Sequence, residues 1–255
     1  MSDIILHHYP ESPYSEKIRA IFGLKGLSWK SVVIPIIMPK PDLMPLTGGY
    51  RKTPVIQIGN HVYCDTQLIA RVIDRLHPEP ALYPDSQAAN ANVMAAWMDK
   101  HMFSIAVALI FQPQNLAAMM SNLGGEASAF AQDRAELMQG ATLTPMSLEA
   151  ARDGFRVNLE RLNTQLASAE NLAGESISIA DFSTYHLLWF VQQNPAAREL
   201  LTPYTNVTAW VARMAALGHG SPVEMSGAEA LDVAKNNKLD TENAGALVDL
   251  PDIAI

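Results

Sequence analysis

Three dipeptides in the first third of the chain are able to do chemistry: Ser12-Pro13, Thr53-Pro54 and Asp65-Thr66. Serine ahead of proline suits a helix N-cap followed by the first helical position, so the Ser12 hydroxyl and the unpaired amides behind it can face one anion together. Tyr9, Tyr14 and Ser15 lie close enough in sequence to be alternative donors. Asp65 and Thr66 open a second helix, whose amides and positive dipole end suit a carboxylate while the Asp side chain is left for an ammonium. Thr53-Pro54 precedes an apolar strand, and each of the three is a commonplace structural device when met alone. Their order, their intervals and what lies between them give them weight.

The elements that must position these residues follow from the hydrophobic pattern. Ile4–His8 is a short apolar run ended by Pro10, and residues 14–25 set Ile18, Ile21 and Phe22 at helical intervals before Gly26. Residues 29–37, rich in Val and Ile, read as a second strand, with Pro35 near its end. Prolines and Gly48-Gly49 make residues 38–52 a loop with at most a short helix. Val55–Ile58 and His61–Cys64, joined by Gly59-Asn60, read as a two-residue hairpin, and Leu68, Ile69, Val72, Ile73 and Leu76 form one face of a helix. The order is βαβ, loop, ββα.

Residues 77–86, HPEPALYPDS, are a proline-rich connector. Beyond it the composition shifts to Ala, Met, Leu and Gln, which predicts an all-helical domain with long helices at about 87–121 and 147–170. Ser178 and Asp181 have the spacing of a capping box ahead of a helix that is apolar all round, which belongs at the centre of that domain. Further helices are predicted at 203–217 and 228–235. The division is a domain at 1–79, a linker at 80–86, a helical domain at 87–220, and an acidic C-terminal extension at 221–255 that reads as a surface strap or a partly disordered tail.

With 18 Lys plus Arg against 26 Asp plus Glu, the chain has a formal charge of −8 and no basic cluster that would track nucleic acid. Its N-terminus lacks the pattern of a secretion signal, and no run approaches the roughly 20 apolar residues of a membrane span, so a cytoplasmic location is expected. Cys64 is the single cysteine. It excludes an internal disulfide and a CxxC pair, and is assigned no catalysis. The histidines show no metal-ligand spacing, so no metal is expected.

ESPYSEKIRAIFGLKG, KTPVIQIGNHVYCDTQLIARVIDRLHP and SIADFSTYHLLWF occur in this order. From about residue 3 to 219 the chain resembles the cytosolic glutathione transferase superfamily, in which an α/β thioredoxin-like N-terminal domain is joined to an all-α C-terminal domain. Serine at the helix start is similar to its serine-type classes, and TGGYRKTPV is similar to a branch containing β-etherase-like enzymes. The resemblance implies glutathione as co-substrate, with Ser12 stabilising its thiolate and Tyr9 in reserve. It implies a cis Thr53–Pro54 bond, with Thr53 pairing through its main chain to the cysteinyl unit. Asp65 and Thr66 would take the γ-glutamyl end, although the family more often has Glu-Ser there. Lys40, Arg51 and Lys52 are candidates for the glycyl carboxylate. Tyr14, Trp97, His101 and Met102 would line the electrophile pocket, with Asp99 facing the cleft. One hydrogen bond to the thiolate contributes roughly 1.5–3 kcal/mol, a drop of about one to two pKa units. The expected activity is conjugation of glutathione to small apolar electrophiles, as in detoxification, by a homodimer. Glutathione-dependent ether or disulfide cleavage is the alternative, the disulfide version disfavoured by the lack of cysteine at position 12. A non-catalytic binding module is the third reading.

Overall fold

The computed structural model describes residues 3–112, 121, 127–139, 146–195 and 197–237. Strand β1 (Ile4–His8) runs through the middle of a sheet ordered β4-β3-β1-β2-β5. Helix α1 (Pro13–Leu24) makes the crossover to β2 (Ser28–Val33), which is parallel to β1. A loop carrying the one-turn helix α2 (Met44–Thr47) leads to β3 (Val55–Ile58), antiparallel to β1. β3 and β4 (His61–Cys64) form the predicted hairpin through Gly59 (φ +62°) and Asn60, and α3 (Thr66–Leu76) follows. This is a thioredoxin-like sheet with helices α1 and α3 on one face.

The second part is helical. Helix α4 (Ala88–Trp97) continues through a π-helical turn, Met98–Met102, into α5 (Phe103–Ile110). It stops at Ile110, ahead of the predicted end near 121; residues 113–120 lie outside the described set. This helix, Ala88–Ile110, is long and apolar enough to cross a membrane by length and composition alone, which corrects the expectation that no segment approaches that size. It serves as a core helix: Ala91, Ala95, Met98, Met102 and Ile105 are buried in the main cluster. Helices α6 (Ala127–Leu137) and α7 (Leu148–Gln165) follow, the latter shorter than the predicted 147–170. Helix α8 (Ile179–Gln193) stands at the centre, burying Phe182, Tyr185, Leu187 and Leu188. Its Asp181 carboxylate accepts from the Ser178 and Leu172 amides, both at 2.9 Å, so it fixes the helix start and the preceding loop together. A 3₁₀ turn at Arg198–Leu201 and helix α9 (Thr205–Ala215) complete this layer.

The C-terminal extension departs most from the sequence reading. Ser221–Glu224 forms β5, parallel to β2, and helix α10 (Gly227–Asn236) returns across the second face of the sheet. There Ala230 is buried with Ile5, Val32, Ile34, Leu43 and Val55. Both faces of β1 are therefore covered, and His7 and His8 are both buried. The return depends on Gly23: a Cβ there would lie 2.1 Å from the Gly218 carbonyl oxygen. Trp29 Nε1 donates to the His219 carbonyl at 2.7 Å, and the Ser221 amide to that of Leu27 at 2.8 Å. The first 79 residues thus do not make up the sheet by themselves. Residues 238–255 of the extension lie outside the described set.

Candidate functional site

Ser12 caps α1 from an extended conformation, with φ −72° and ψ 117°. Its hydroxyl accepts the Ser15 amide at 3.2 Å and its carbonyl accepts the Glu16 amide at 3.0 Å. The side chain is therefore fixed at the positive end of α1, and only 2% of Ser12 is exposed. Tyr9 closes the turn by accepting the Ser12 amide on its carbonyl at 3.2 Å. Burial raises the Tyr9 phenol pKa, and the nearby Arg134 and Ser12 side chains offset that only in part. Tyr9 is thus a protonated neighbour of Ser12.

Lys40 links this corner to the β3 loop. Its ammonium donates to Thr53 Oγ1 at 3.0 Å and the Arg51 carbonyl at 3.2 Å, and lies 5.8 Å from the Tyr9 ring centroid. Burial first, then the charge of Arg134, lowers its pKa to about 8. The Thr53–Pro54 peptide is cis. Lys52 is exposed. Asp65 sits at φ +75°, a conformation a non-glycine residue seldom adopts, and its carboxylate accepts the Gln67 amide at 2.8 Å. Thr66 beneath it is buried. Tyr50 belongs to this corner as well: burial, then the Asp65 charge, pushes its phenol up to about 12. Nothing in the sequence pattern singles Tyr50 out.

On the far side of Ser12, Tyr14 donates its hydroxyl to the Asp99 carbonyl in the π-helical turn at 2.6 Å. Burial, then the Asp99 charge, raises the phenol far above its usual pKa, so Tyr14 acts as an aromatic wall and not as an acid. Its ring meets Phe103 at 4.7 Å and His186 at 4.9 Å between centroids, and the series runs on through Phe190, Phe111 and Phe130. Asp99 does not face the cleft. It pairs with Lys17 of α1 at 2.7 Å, with Lys17 fully buried and Asp99 6% exposed. Three other expected pocket residues do not join this aromatic series. Trp97 and His101 are exposed and stack on each other at 5.2 Å, while Met102 is buried in the main core. The resemblance that implied these residues singles out the helix and not which of its side chains turn toward the aromatic series.

Residues 6–81 match the family described as "Glutathione S-transferase, N-terminal domain" and residues 145–213 match "Glutathione S-transferase, C-terminal domain". A GST-like protein from Pseudomonas syringae is 39% identical, with a TM-score of 0.77 over 100% of this chain and 79% of that one. The chain is a member of the cytosolic glutathione transferase superfamily. Other similar proteins include FtsZ-localized protein A of Caulobacter vibrioides, 25% identical over 183 residues covering 70% of this chain and 72% of that protein. A β-etherase from Sphingobium sp. strain SYK-6 shares the fold at TM-score 0.60 and 16% identity, over 85% of this chain and 96% of that one.

A cluster of charged residues lies close to Lys40. Asp133 of α6 accepts the Met38 amide at 3.0 Å and pairs with both Arg51 and Arg134. Arg134 also donates to the Ile36 carbonyl at 3.1 Å. Burial works against the Asp133 charge, yet the Met38 amide and Arg134, with Arg51, more than offset it and hold the pKa below the ordinary carboxylate value. Thus Arg51 is not a free loop cation, and Lys40 is 2% exposed beneath it. The guanidiniums at this corner therefore already hold a carboxylate. A link between positions 38, 51 and 133 leaves no trace in local sequence.

Proposed function

We propose that this glutathione transferase family member binds glutathione at its N-terminal domain, ionises the thiol with Ser12, and adds the thiolate to a small apolar electrophile beside Tyr14 and Phe103. The observation that carries this reading is the fixed position of Ser12. Its buried side chain caps α1, and Tyr9 and Lys40 connect it to Thr53, the residue before the cis proline. A hydroxyl held at a helix N-terminus stabilises an anion without reorganising. The aromatic walls supply an apolar surface where proximity does most of the catalytic work. In this reading the protein works as a two-fold homodimer in the cytoplasm, without a metal.

A non-catalytic binding role is the second reading. It is favoured by the likeness to FtsZ-localized protein A and by α6, which covers the rim of the cleft. Calorimetric titration with glutathione, followed by turnover assays with an aryl halide, an aryl ether and hydroxyethyl disulfide, separates the two. Binding with aryl halide turnover is expected. Saturable binding without turnover of any substrate, or no binding, overturns the transferase reading in favour of the binding module.

A further inference from the structure

Helix α6 is held by unusual means. Its inward face presents Phe130, Asp133, Arg134 and Leu137; of these Phe130 and Asp133 are buried, and α6 shares no extended packing with another helix or strand among the described residues. A helix is usually fixed by an apolar stripe. Here one aromatic ring, stacked 5.9 Å from Phe111, is joined by a carboxylate gripped from three sides. Arg51, Arg134 and the Met38 amide all donate to Asp133, and Arg51 also lies 3.8 Å from Glu136. Two guanidiniums and an amide converging on one point form a carboxylate site.

We propose that Asp133 is a built-in stand-in for a ligand carboxylate, so that α6 selects for ligands able to displace it from Arg51 and the Met38 amide. This rests on the glutathione reading, in which the carboxylate is the glycyl end of the tripeptide. Three properties make the exchange feasible. Both guanidiniums keep contact with water, at 22% and 27% side-chain exposure, so their pairing with Asp133 adds little net stability. An incoming carboxylate restores the Arg51 and Met38 hydrogen bonds that Asp133 gives up, while Arg134, the next residue of α6, moves with Asp133 and stays paired to it. Among the described residues the apolar contact of α6 is small, as it is in parts of a fold that open readily. Asp133 therefore determines specificity without touching the thiol. A ligand lacking the carboxylate would have to leave the Arg51 guanidinium and the Met38 amide unpaired or bind with Asp133 still in place.

The test compares wild type with Asp133→Asn, which keeps the shape and removes the charge, using glutathione and its glycyl monoethyl ester in calorimetry on the full chain. Removing the competitor is expected to tighten glutathione by about tenfold, the size of one charge-assisted hydrogen bond, and to leave the ester nearly unchanged. In wild type, saturating glutathione should speed amide exchange across residues 127–137. That second readout needs no variant to fold. If glutathione binds wild type with α6 exchange unaltered, and Asp133→Asn binds no tighter, this proposal falls while the glutathione reading stands. Binding to Asp133→Asn alone supports the proposal. If neither protein binds either ligand, both fall together.

Discussion

Asp99 and Asp133 each carry a carboxylate from the helical layer to a cation on the thioredoxin-like domain, in very different surroundings. Asp99 meets Lys17 inside the continuous core, with Tyr14 on its carbonyl and His186 Nδ1 at 3.9 Å from its second oxygen. Asp133 meets two partly exposed guanidiniums at the rim, on a helix with little apolar anchorage among the described residues. The chemistry is nearly the same, but water has access to only one of the two. In the core, losing either partner strands a charge where nothing can replace it. At the rim, water or a second carboxylate can take the vacated place. One pair fastens the domains, and the other is suited to exchange.

The largest expected effect breaks the core pair. Asp99→Ala leaves Lys17 buried and unpaired and should cost about 3–5 kcal/mol in urea unfolding, most of it recovered in the Lys17→Met, Asp99→Leu double variant. A loss no greater than that of Asp133→Ala would erase the contrast. Acid separates the regions next. His8 and His186 have folded pKa values lowered to about 3 and about 4, mainly by burial, from an ordinary 6.5. Their stabilisation is intact above pH 6.5 and declines as pH falls toward those values, by about 2 kcal/mol each on reaching a pH of about 5. The Asp133 pKa is lowered from 3.8, so its contribution persists through that range and is lost only below it. Urea midpoints at pH 7 and 5, read alongside α6 exchange, should show the core weakening first. Asp133→Asn should change global stability by less than about 1 kcal/mol while loosening α6. Smallest of all, Trp97→Ala on the exposed face of α4 should stay within about 0.5 kcal/mol and leave glutathione affinity unchanged.

Legibility in the sequence followed the range of the interaction. The β3–β4 hairpin, the α3 stripe and the Asp181 cap are local devices, and each is written in a few adjacent residues. β5 is four residues long and contains Pro222, so only its pairing with β2 makes it a strand. Helix α10 does carry a local signal in its Ser226–Glu229 capping box, but its docking on the sheet depends on Ala230 meeting residues nearly two hundred positions away. The same distinction runs through the site. Ser12 and Asp65 are readable as caps from their own neighbours, whereas the ties of Asp99 to Lys17 and of Asp133 to Arg51 are not. The π-helical turn at Met98–Met102 has no sequence signature, and it is the turn from which Asp99 reaches Lys17.

The most direct test is the ionisation of bound glutathione, followed by the ultraviolet absorbance of its thiolate across pH in wild type and Ser12→Ala. Wild type should lower the thiol pKa relative to free glutathione. Ser12→Ala, still binding the tripeptide, should raise it again by about one to two units, the equivalent of one charged hydrogen bond. Identical titration curves for the two proteins would contradict the role given to Ser12.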